Sequence, residues 1–171
     1  MKNTFLLISL VFTIVSCQKV EKTSEDHSIT TIYLIRHAEK DRSNKENKDP
    51  ALTEDGKQRA ERWAEVLGLS KMEAVYSTNY QRTLQTAAPT AMRNGLEIQT
   101  YEPNSLNIDS IATVHKGARV LIVGHSNTTP MLVNRALGER RFESIEDTVN
   151  GNLFVLTITP STKGVQVLSI E

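Results

Sequence analysis

Two histidines and two arginines stand out in this sequence because each follows a short apolar segment. Arg36 and His37 come directly after the run Thr31–Ile35, His125 follows a second such run, and Arg82 follows a third, shorter one. Arginine carries a planar, permanently charged fork that matches the oxygens of a phosphoryl group. A neutral imidazole nitrogen can attack phosphorus near pH 7. These residue types predict a site for a phosphoryl dianion, and this chemistry requires no metal and no other cofactor.

The apolar runs before the two histidines are typical of buried parallel strands. Thr31–Ile35 is largely β-branched and stops at a charged residue, and Arg119–Val123 stops in a similar way at Gly124. Strands that are covered on both faces read as continuous apolar runs rather than as alternating patterns. Because ligands bind at the carboxyl ends of such strands in open α/β sheets, we expect His37 and His125 to meet at one edge of the sheet.

Helical and strand patterns alternate along the rest of the chain. Apolar residues recur at helical spacing in four segments, and short apolar runs between them predict strands. The elements expected after the first strand are a helix capped by Thr53 and ending at Gly68, a strand at Ala74–Tyr76 with Ser77-Thr78 as a turn, and a helix around Leu84–Met92 that Pro89 should kink or shorten and that ends at Asn94-Gly95. They are followed by a weak strand at Glu97–Tyr101, a short helix at Ile108–His115, a helix capped by Asn127 and ending at Gly138, and a terminal hairpin of Leu153–Thr159 and Val165–Ile170. This order predicts a three-layer α/β/α sandwich with a mainly parallel sheet and an antiparallel edge.

The composition argues against a nucleic-acid partner. The chain has 171 residues, of which 20 are Lys or Arg and 20 are Asp or Glu, so its formal net charge is zero. Proteins that bind nucleic acid usually carry a clearly basic face, and no such excess of basic residues is present here.

His115 shares the apolar stripe of the predicted short helix, so we interpret it as a structural histidine.

The N-terminal segment predicts export and a lipid anchor. Residues 1–16 contain one lysine, no acid and an apolar stretch that is too short to span a bilayer, which is typical of a secretory signal. The run Ile14-Val15-Ser16-Cys17 resembles the lipobox of bacterial lipoproteins, which implies that Cys17 is lipidated and that residues 18–30 are a flexible tether. Gln18 after the cysteine resembles lipoproteins that are sorted to an outer membrane facing the periplasm. The alternative is an ordinary signal that is cut nearby.

Four motifs in order resemble the histidine phosphatase superfamily, also called the phosphoglycerate mutase-like fold. They are Arg36-His37-Ala38-Glu39, Leu52-Thr53-Glu54-Asp55-Gly56, the segment Thr78–Ala87 around Arg82, and Gly124-His125-Ser126. The resemblance covers residues 31–170, so residues 31–171 are interpreted as the histidine phosphatase domain. Ala38 replaces the usual glycine, which favours small bacterial phosphatases over the best-known mutases.

The resemblance implies a role for each site residue. His37 would be the nucleophile that becomes phosphorylated, with its other ring nitrogen held by a backbone carbonyl, and water would hydrolyse the phosphohistidine. Arg36, Arg82 and His125 would hold the phosphoryl oxygens, with His125 mostly protonated. Glu102 would protonate the leaving group; its rival Asp109 lies at a helix start, where the helix dipole favours a charged carboxylate.

Other functions remain open from the sequence. A serine hydrolase with Ser126 would need Gly-x-Ser-x-Gly, but the last position is Thr128 and no histidine follows. A zinc hydrolase would lack ligands beyond the two site histidines. A lipoprotein that binds phosphoryl ligands without catalysis, and a phosphoglycerate-type mutase, are further alternatives. Sugar phosphates, phosphoproteins including phosphohistidine, nucleotides and envelope glycan phosphates all fit as substrates.

Overall fold

The computed structural model describes residue 26 and residues 28–170, and the predicted signal, Cys17 and most of the tether lie outside these residues. The described chain folds into six strands and four helices. In chain order they are β1 (Thr30–Arg36), α1 (Glu54–Gly68), β2 (Ala74–Thr78), α2 (Gln81–Asn94), β3 (Ile98–Tyr101), α3 (Ile108–Val114), β4 (Arg119–Gly124), α4 (Thr128–Leu137), β5 (Asn152–Ile158) and β6 (Lys163–Ser169).

The six strands form one sheet in the order β3-β2-β4-β1-β5-β6. The strands β1, β2, β3 and β4 are parallel to one another, whereas β5 runs antiparallel to β1 and β6 antiparallel to β5. This confirms the predicted mainly parallel sheet with an antiparallel hairpin at one edge. The first strand in the sequence therefore lies in the interior of the sheet.

Helices cover both faces of the sheet and bury its central strands. Ile32 and Leu34 of β1 pack in a core cluster with residues of α3 and α4, while Ile35 packs with Trp63 of α1 and with residues of α2. All three β1 side chains are fully buried. Successive side chains of a strand point to opposite faces, so one apolar run supplies both halves of the core.

The predicted helix ends agree with the structure in three places. Thr53 caps α1, because its Oγ1 accepts a hydrogen bond of 3.1 Å from the backbone N–H of Gly56. Gly95 follows α2 with φ = 63° and Gly138 follows α4 with φ = 71°, a left-handed conformation that glycine adopts without steric cost. No helix in the described part of the chain is both long and apolar enough to cross a membrane.

Two local predictions were wrong, at Ser77-Thr78 and at Asn127. Ser77 and Thr78 belong to β2 rather than to a turn, and both are fully buried beside the parallel neighbour strands. Pro89 lies within α2, which continues to its predicted end at Asn94, and a kink at Pro89 stays a prediction. Asn127 precedes α4 but makes no capping bond through its side chain. Instead, the Oγ1 of Thr128 accepts a hydrogen bond of 3.0 Å from the backbone N–H of His125.

Candidate active site

The parallel pairing of β1 with β4 brings His37 and His125 together. Arg36 pairs with Gly124 across the two strands, so the residue after each strand is a histidine. The backbone N–H of His37 extends the pairing by donating to the carbonyl of Gly124 at 2.9 Å. The two imidazole rings meet edge to face with centroids 5.7 Å apart. The expected meeting of the two histidines at one sheet edge is therefore confirmed.

The ring of His37 is held in one tautomer. Its Nδ1 lies 2.7 Å from the carbonyl oxygen of Ala38, and a carbonyl only accepts, so Nδ1 carries the hydrogen. The side chain is buried, and burial lowers the pKa of His37 to about 3, with smaller effects from the nearby positive charge of Arg36 and of Arg82. His37 is therefore a neutral imidazole at pH 7 whose Nε2 carries a free lone pair.

Two hydrogen bonds fix the peptide group that follows His37. The backbone N–H of Ala38 donates to the hydroxyl of Thr86 at 2.9 Å, and the side-chain amide of Asn150 donates to the carbonyl of His37 at 2.9 Å. All of these groups are buried. The position of the imidazole is thus set from two sides, by α2 and by the loop before β5.

A loop between α4 and β5 holds the buried side chain of Arg36. Nη1 of Arg36 donates to the carbonyls of Glu146 at 2.8 Å and Val149 at 3.1 Å, and Nη2 forms an ion pair with Oδ1 of Asp147 at 2.6 Å. Hydrogen bonds from Arg42 and, to a smaller extent, from Arg36 hold the pKa of Asp147 far below its usual range. Among the described residues, Nε of Arg36 has no hydrogen-bond partner although it is buried. This nitrogen remains available to a ligand oxygen.

Arg82 contacts the ring of Tyr80, which in turn packs against His125. Its guanidinium carbon is 4.4 Å from the ring centroid of Tyr80, and that ring packs edge to face on His125 with centroids 5.2 Å apart. The ion pair of Arg82 with Asp49 is long, at 3.5 Å, and the buried Nε has no partner in the described part of the chain. Both site arginines therefore keep a buried donor unused.

His125 is neutral in the free site, contrary to the expectation that it is mostly protonated. Burial lowers the pKa of His125 to about 4, and the charges of Arg82, Lys40 and Arg36 lower it further. Its Nε2 lies 2.9 Å from the hydroxyl of Thr78. The sequence could not show this burial or the number of cations around the ring, which together disfavour a charged imidazole.

A family model matches the segment that contains most of the site. The model described as histidine phosphatase superfamily (branch 1) matches residues 32–103, which include Arg36, His37 and Arg82. This segment is therefore similar to the histidine phosphatase superfamily. No curated protein matches it significantly.

Several solved structures share the fold of this chain. A mycobacterial glucosyl-3-phosphoglycerate phosphatase in complex with VO3 has a TM-score of 0.68 and 14% identity, and the match covers 82% of this chain and 99% of that chain. YhfR of Bacillus stearothermophilus has a TM-score of 0.67 and 20% identity, with 83% and 98% covered. The protein histidine phosphatase SixA in complex with tungstate has a TM-score of 0.63 and 16% identity, with 81% and 96% covered. At these identities the likeness establishes the fold.

The structure separates the two carboxylates considered as proton donors. Asp109 forms an ion pair of 2.5 Å with Lys163 at the start of β6. Lys163 pairs with Ile158 at the end of β5, and Ile158 pairs with Thr30 at the start of β1. Asp109 therefore lies at the opposite end of the strands from the histidines, so it cannot protonate the leaving group at this site.

Glu102 lies on the correct side of the sheet, but its role stays a prediction. It directly follows β3, and parallel strands place that end at the same edge as His37. Its side chain is exposed, and the described hydrogen bonds of Glu102 involve only its backbone carbonyl, which accepts from Ser105. His115, by contrast, bonds through Nε2 to the hydroxyl of Tyr76 at 2.8 Å, as expected for a structural histidine.

Three residues with a role at this site were missed by the sequence analysis. Asp147 and Asn150 hold Arg36 and His37, and Thr78 contacts His125. Thr78 begins the motif around Arg82, which could have indicated it. The other two lie in a charged loop without periodicity, which offered no signal. Among residues 26 and 28–170, no group of three or more His, Cys, Asp or Glu side chains is arranged to hold a metal ion.

Proposed function

We propose that this protein is a metal-independent phosphatase that hydrolyses phosphomonoesters, or phosphohistidine, through a phosphohistidine on His37. Nε2 of His37 attacks phosphorus, the N–P bond forms as the bond to the leaving group breaks, and the leaving group takes up a proton. Water then attacks the phosphohistidine, which releases inorganic phosphate and returns His37 to its neutral form.

The observation that carries this proposal is the contact between His37 and Ala38. Because Nδ1 donates to the carbonyl of Ala38 at 2.7 Å, the lone pair of the neutral ring lies on Nε2. As the N–P bond forms, the ring becomes positively charged, and the carbonyl stabilises that charge through the same hydrogen bond. A neutral, oriented imidazole in a buried site is a competent nucleophile without a separate general base.

The arginines supply donors for the phosphoryl oxygens. The buried Nε atoms of Arg36 and Arg82 have no hydrogen-bond partners in the described part of the chain, which is costly unless a ligand satisfies them. Donors that are fixed before the reaction stabilise the charge that develops in phosphoryl transfer, and one such donor is typically worth about 3 to 4 kcal/mol.

A bound dianion should also change the state of His125. In the free site burial lowers the pKa of His125 to about 4, and the positive neighbours contribute to this shift. A phosphoryl group with two negative charges would reverse this local potential and favour the imidazolium, which can donate from both nitrogens. Binding of substrate is therefore coupled to the uptake of a proton by His125.

The structural neighbours support a phosphatase. Two of them carry phosphatase names, and their complexes contain VO3 and tungstate, which are oxyanions. Oxyanions of this kind require the cationic donors that Arg36 and Arg82 present here. The superfamily also contains mutases, so the assay must distinguish transfer to water from transfer to a second hydroxyl group.

Rapid-quench labelling tests the nucleophile. With a radioactive phosphoryl donor, the protein should form an acid-labile adduct and release inorganic phosphate. His37→Ala should lose the adduct and several orders of magnitude in kcat while it remains folded, since one nucleophile is removed. His115→Ala is the matched control because it removes a histidine outside the site. Full labelling of His37→Ala would refute the assignment, and oxyanion binding without turnover would indicate a binding protein.

We also propose that Cys17 is lipidated and anchors the domain in the cell envelope, at an outer membrane facing the periplasm. The lipobox-like run before Cys17 supports this location, although it lies outside the described residues. Two or more acyl chains hold a protein at a membrane far better than one, because each buried CH₂ contributes about 0.8 kcal/mol. Cys17→Ser should move the protein from the membrane fraction to the soluble fraction. Unchanged membrane association would contradict the proposal.

A further inference from the structure

We propose that a cavity beside the phosphoryl site binds a second anionic group, carried by the leaving group of the substrate, through Lys40 and Arg42. This inference rests on the proposed phosphatase function and narrows its substrate class. It concerns the cavity that adjoins Arg36 and His37.

The cavity adjoins the two residues expected to bind and accept the phosphoryl group. It has a volume of about 450 Å³. Two of its lining residues contact Arg36 and His37. Asp147 forms an ion pair with Arg36, and the side-chain amide of Asn150 donates to the backbone carbonyl of His37. The lining residues are Glu39, Lys40, Arg42, Asp147, Thr148 and Asn150.

The ammonium group of Lys40 is the unpaired charge of this cavity. Its backbone is fixed by a bridge to Leu52, and its side chain is partly buried. Burial lowers the pKa of Lys40, and the charges of Arg42 and Arg82 lower it further, whereas the charge of Asp147 opposes this shift without reversing it. No carboxylate in the described part of the chain lies within ion-pair distance of this ammonium. A partly buried cation without a partner is unfavourable, so this position suits an anionic ligand.

The acidic residues of the cavity do not neutralise its cations. Asp147 is shared, because Oδ1 pairs with Nη2 of Arg36 at 2.6 Å and Oδ2 pairs with Nη1 of Arg42 at 2.6 Å. Glu39 is already paired with Arg59 at 2.7 Å. The wall formed by Lys40 and Arg42 therefore keeps an excess of positive charge after every described pair is counted.

This charge pattern selects among leaving groups. A carboxylate or a second phosphate a few bonds from the ester oxygen could reach Lys40 while the scissile phosphoryl group lies against His37. A leaving group without charge would leave the ammonium of Lys40 unpaired, and a cationic one would be repelled. The substrate class inferred here is a phosphomonoester with a second anionic group.

Binding of two phosphonates that cannot be hydrolysed tests the proposal. Butylphosphonate and 4-phosphonobutanoate differ in that a terminal methyl is replaced by a carboxylate, and calorimetry at low salt gives Kd for each. The protein should bind the carboxylate compound about 10-fold more tightly, the usual worth of one charged hydrogen bond. Lys40→Ala should remove this preference. Lys45→Ala is the matched control, because it removes the same charge from an exposed position in the same loop.

Two other outcomes overturn the inference. Equal Kd values for the two phosphonates in the unmodified protein would show that the cavity does not bind a second anionic group. An equal loss of affinity for both compounds in Lys40→Ala would assign Lys40 to the phosphoryl group instead. A failure of the proposed phosphatase function would be recognised separately, because neither butyl phosphate nor an alkyl phosphate with a terminal carboxylate would then be hydrolysed, whereas the difference between the two Kd values would still support or refute the inference.

Discussion

Acidification from pH 7 to pH 5 should destabilise the protein through His37 and His125. Burial lowers the pKa of His37 to about 3 and that of His125 to about 4 in the folded protein. In the unfolded chain both groups return to about 6.5. The unfolded state therefore binds protons that the folded state excludes, so the free energy of unfolding falls as the pH drops below about 6.5.

The size of this effect follows from the two pKa values. At pH 5 an unfolded histidine is almost fully protonated, while His37 and His125 stay largely neutral in the folded protein. Each histidine then lowers the free energy of unfolding by about 2 kcal/mol relative to pH 7, and the two together by about 4 kcal/mol. This is a large share of the roughly 5 to 15 kcal/mol that stabilises a typical domain.

Urea unfolding followed by circular dichroism at pH 7, 6 and 5 measures the effect. The informative variant is His37→Asn, because asparagine can still donate to the carbonyl of Ala38 but cannot titrate. The loss between pH 7 and pH 5 should shrink by about 2 kcal/mol in this variant. An identical pH dependence in the two proteins would show that His37 is not kept neutral by the fold, and the nucleophile argument would fail with it.

Three further perturbations have defined outcomes. Asp147→Ala should lower kcat by about 10-fold or more, since it frees the buried guanidinium of Arg36, and full activity would show that the loop does not position it. Glu102→Gln should cost about 10² to 10⁴ in rate on alkyl phosphates but far less on aryl phosphates, and equal losses would remove Glu102 from the mechanism. Gly56→Ala would place its Cβ 2.2 Å from the carbonyl oxygen of Glu39, so unfolding should become easier by about 1 to 3 kcal/mol, and an unchanged Tm would contradict this contact.

The fold and the central residues could be predicted because their signals are local. Buried strands are continuous apolar runs, helices repeat every three to four residues, and parallel strands place His37 and His125 at one edge. The end of β2 was missed because Ser77 and Thr78 are polar residues, and their burial depends on β4, which comes much later in the chain.

The support of Arg36 could not be predicted because its partners have no sequence signal. Its Nη1 binds the carbonyls of Glu146 and Val149, and every residue has a carbonyl. Asp147 lies 111 residues away in a loop that has no periodicity. The protonation state of His125 could not be predicted either, because its pKa depends on burial and on cations that only the folded chain brings together.

The interior position of β1 has a consequence for the order in which the molecule is made. β1 is the first strand to be synthesised, yet its neighbours in the sheet are β4 and β5, and Arg36 takes partners 110 to 113 residues later. Until those segments appear, both edges of β1 lack their native partners, and long loops must close before it can pair. A nascent chain that has not yet reached Asn150 contains His37 without the groups that orient it. We therefore expect the groups that orient His37 to be in place only after the segment that contains Asn150 has been synthesised.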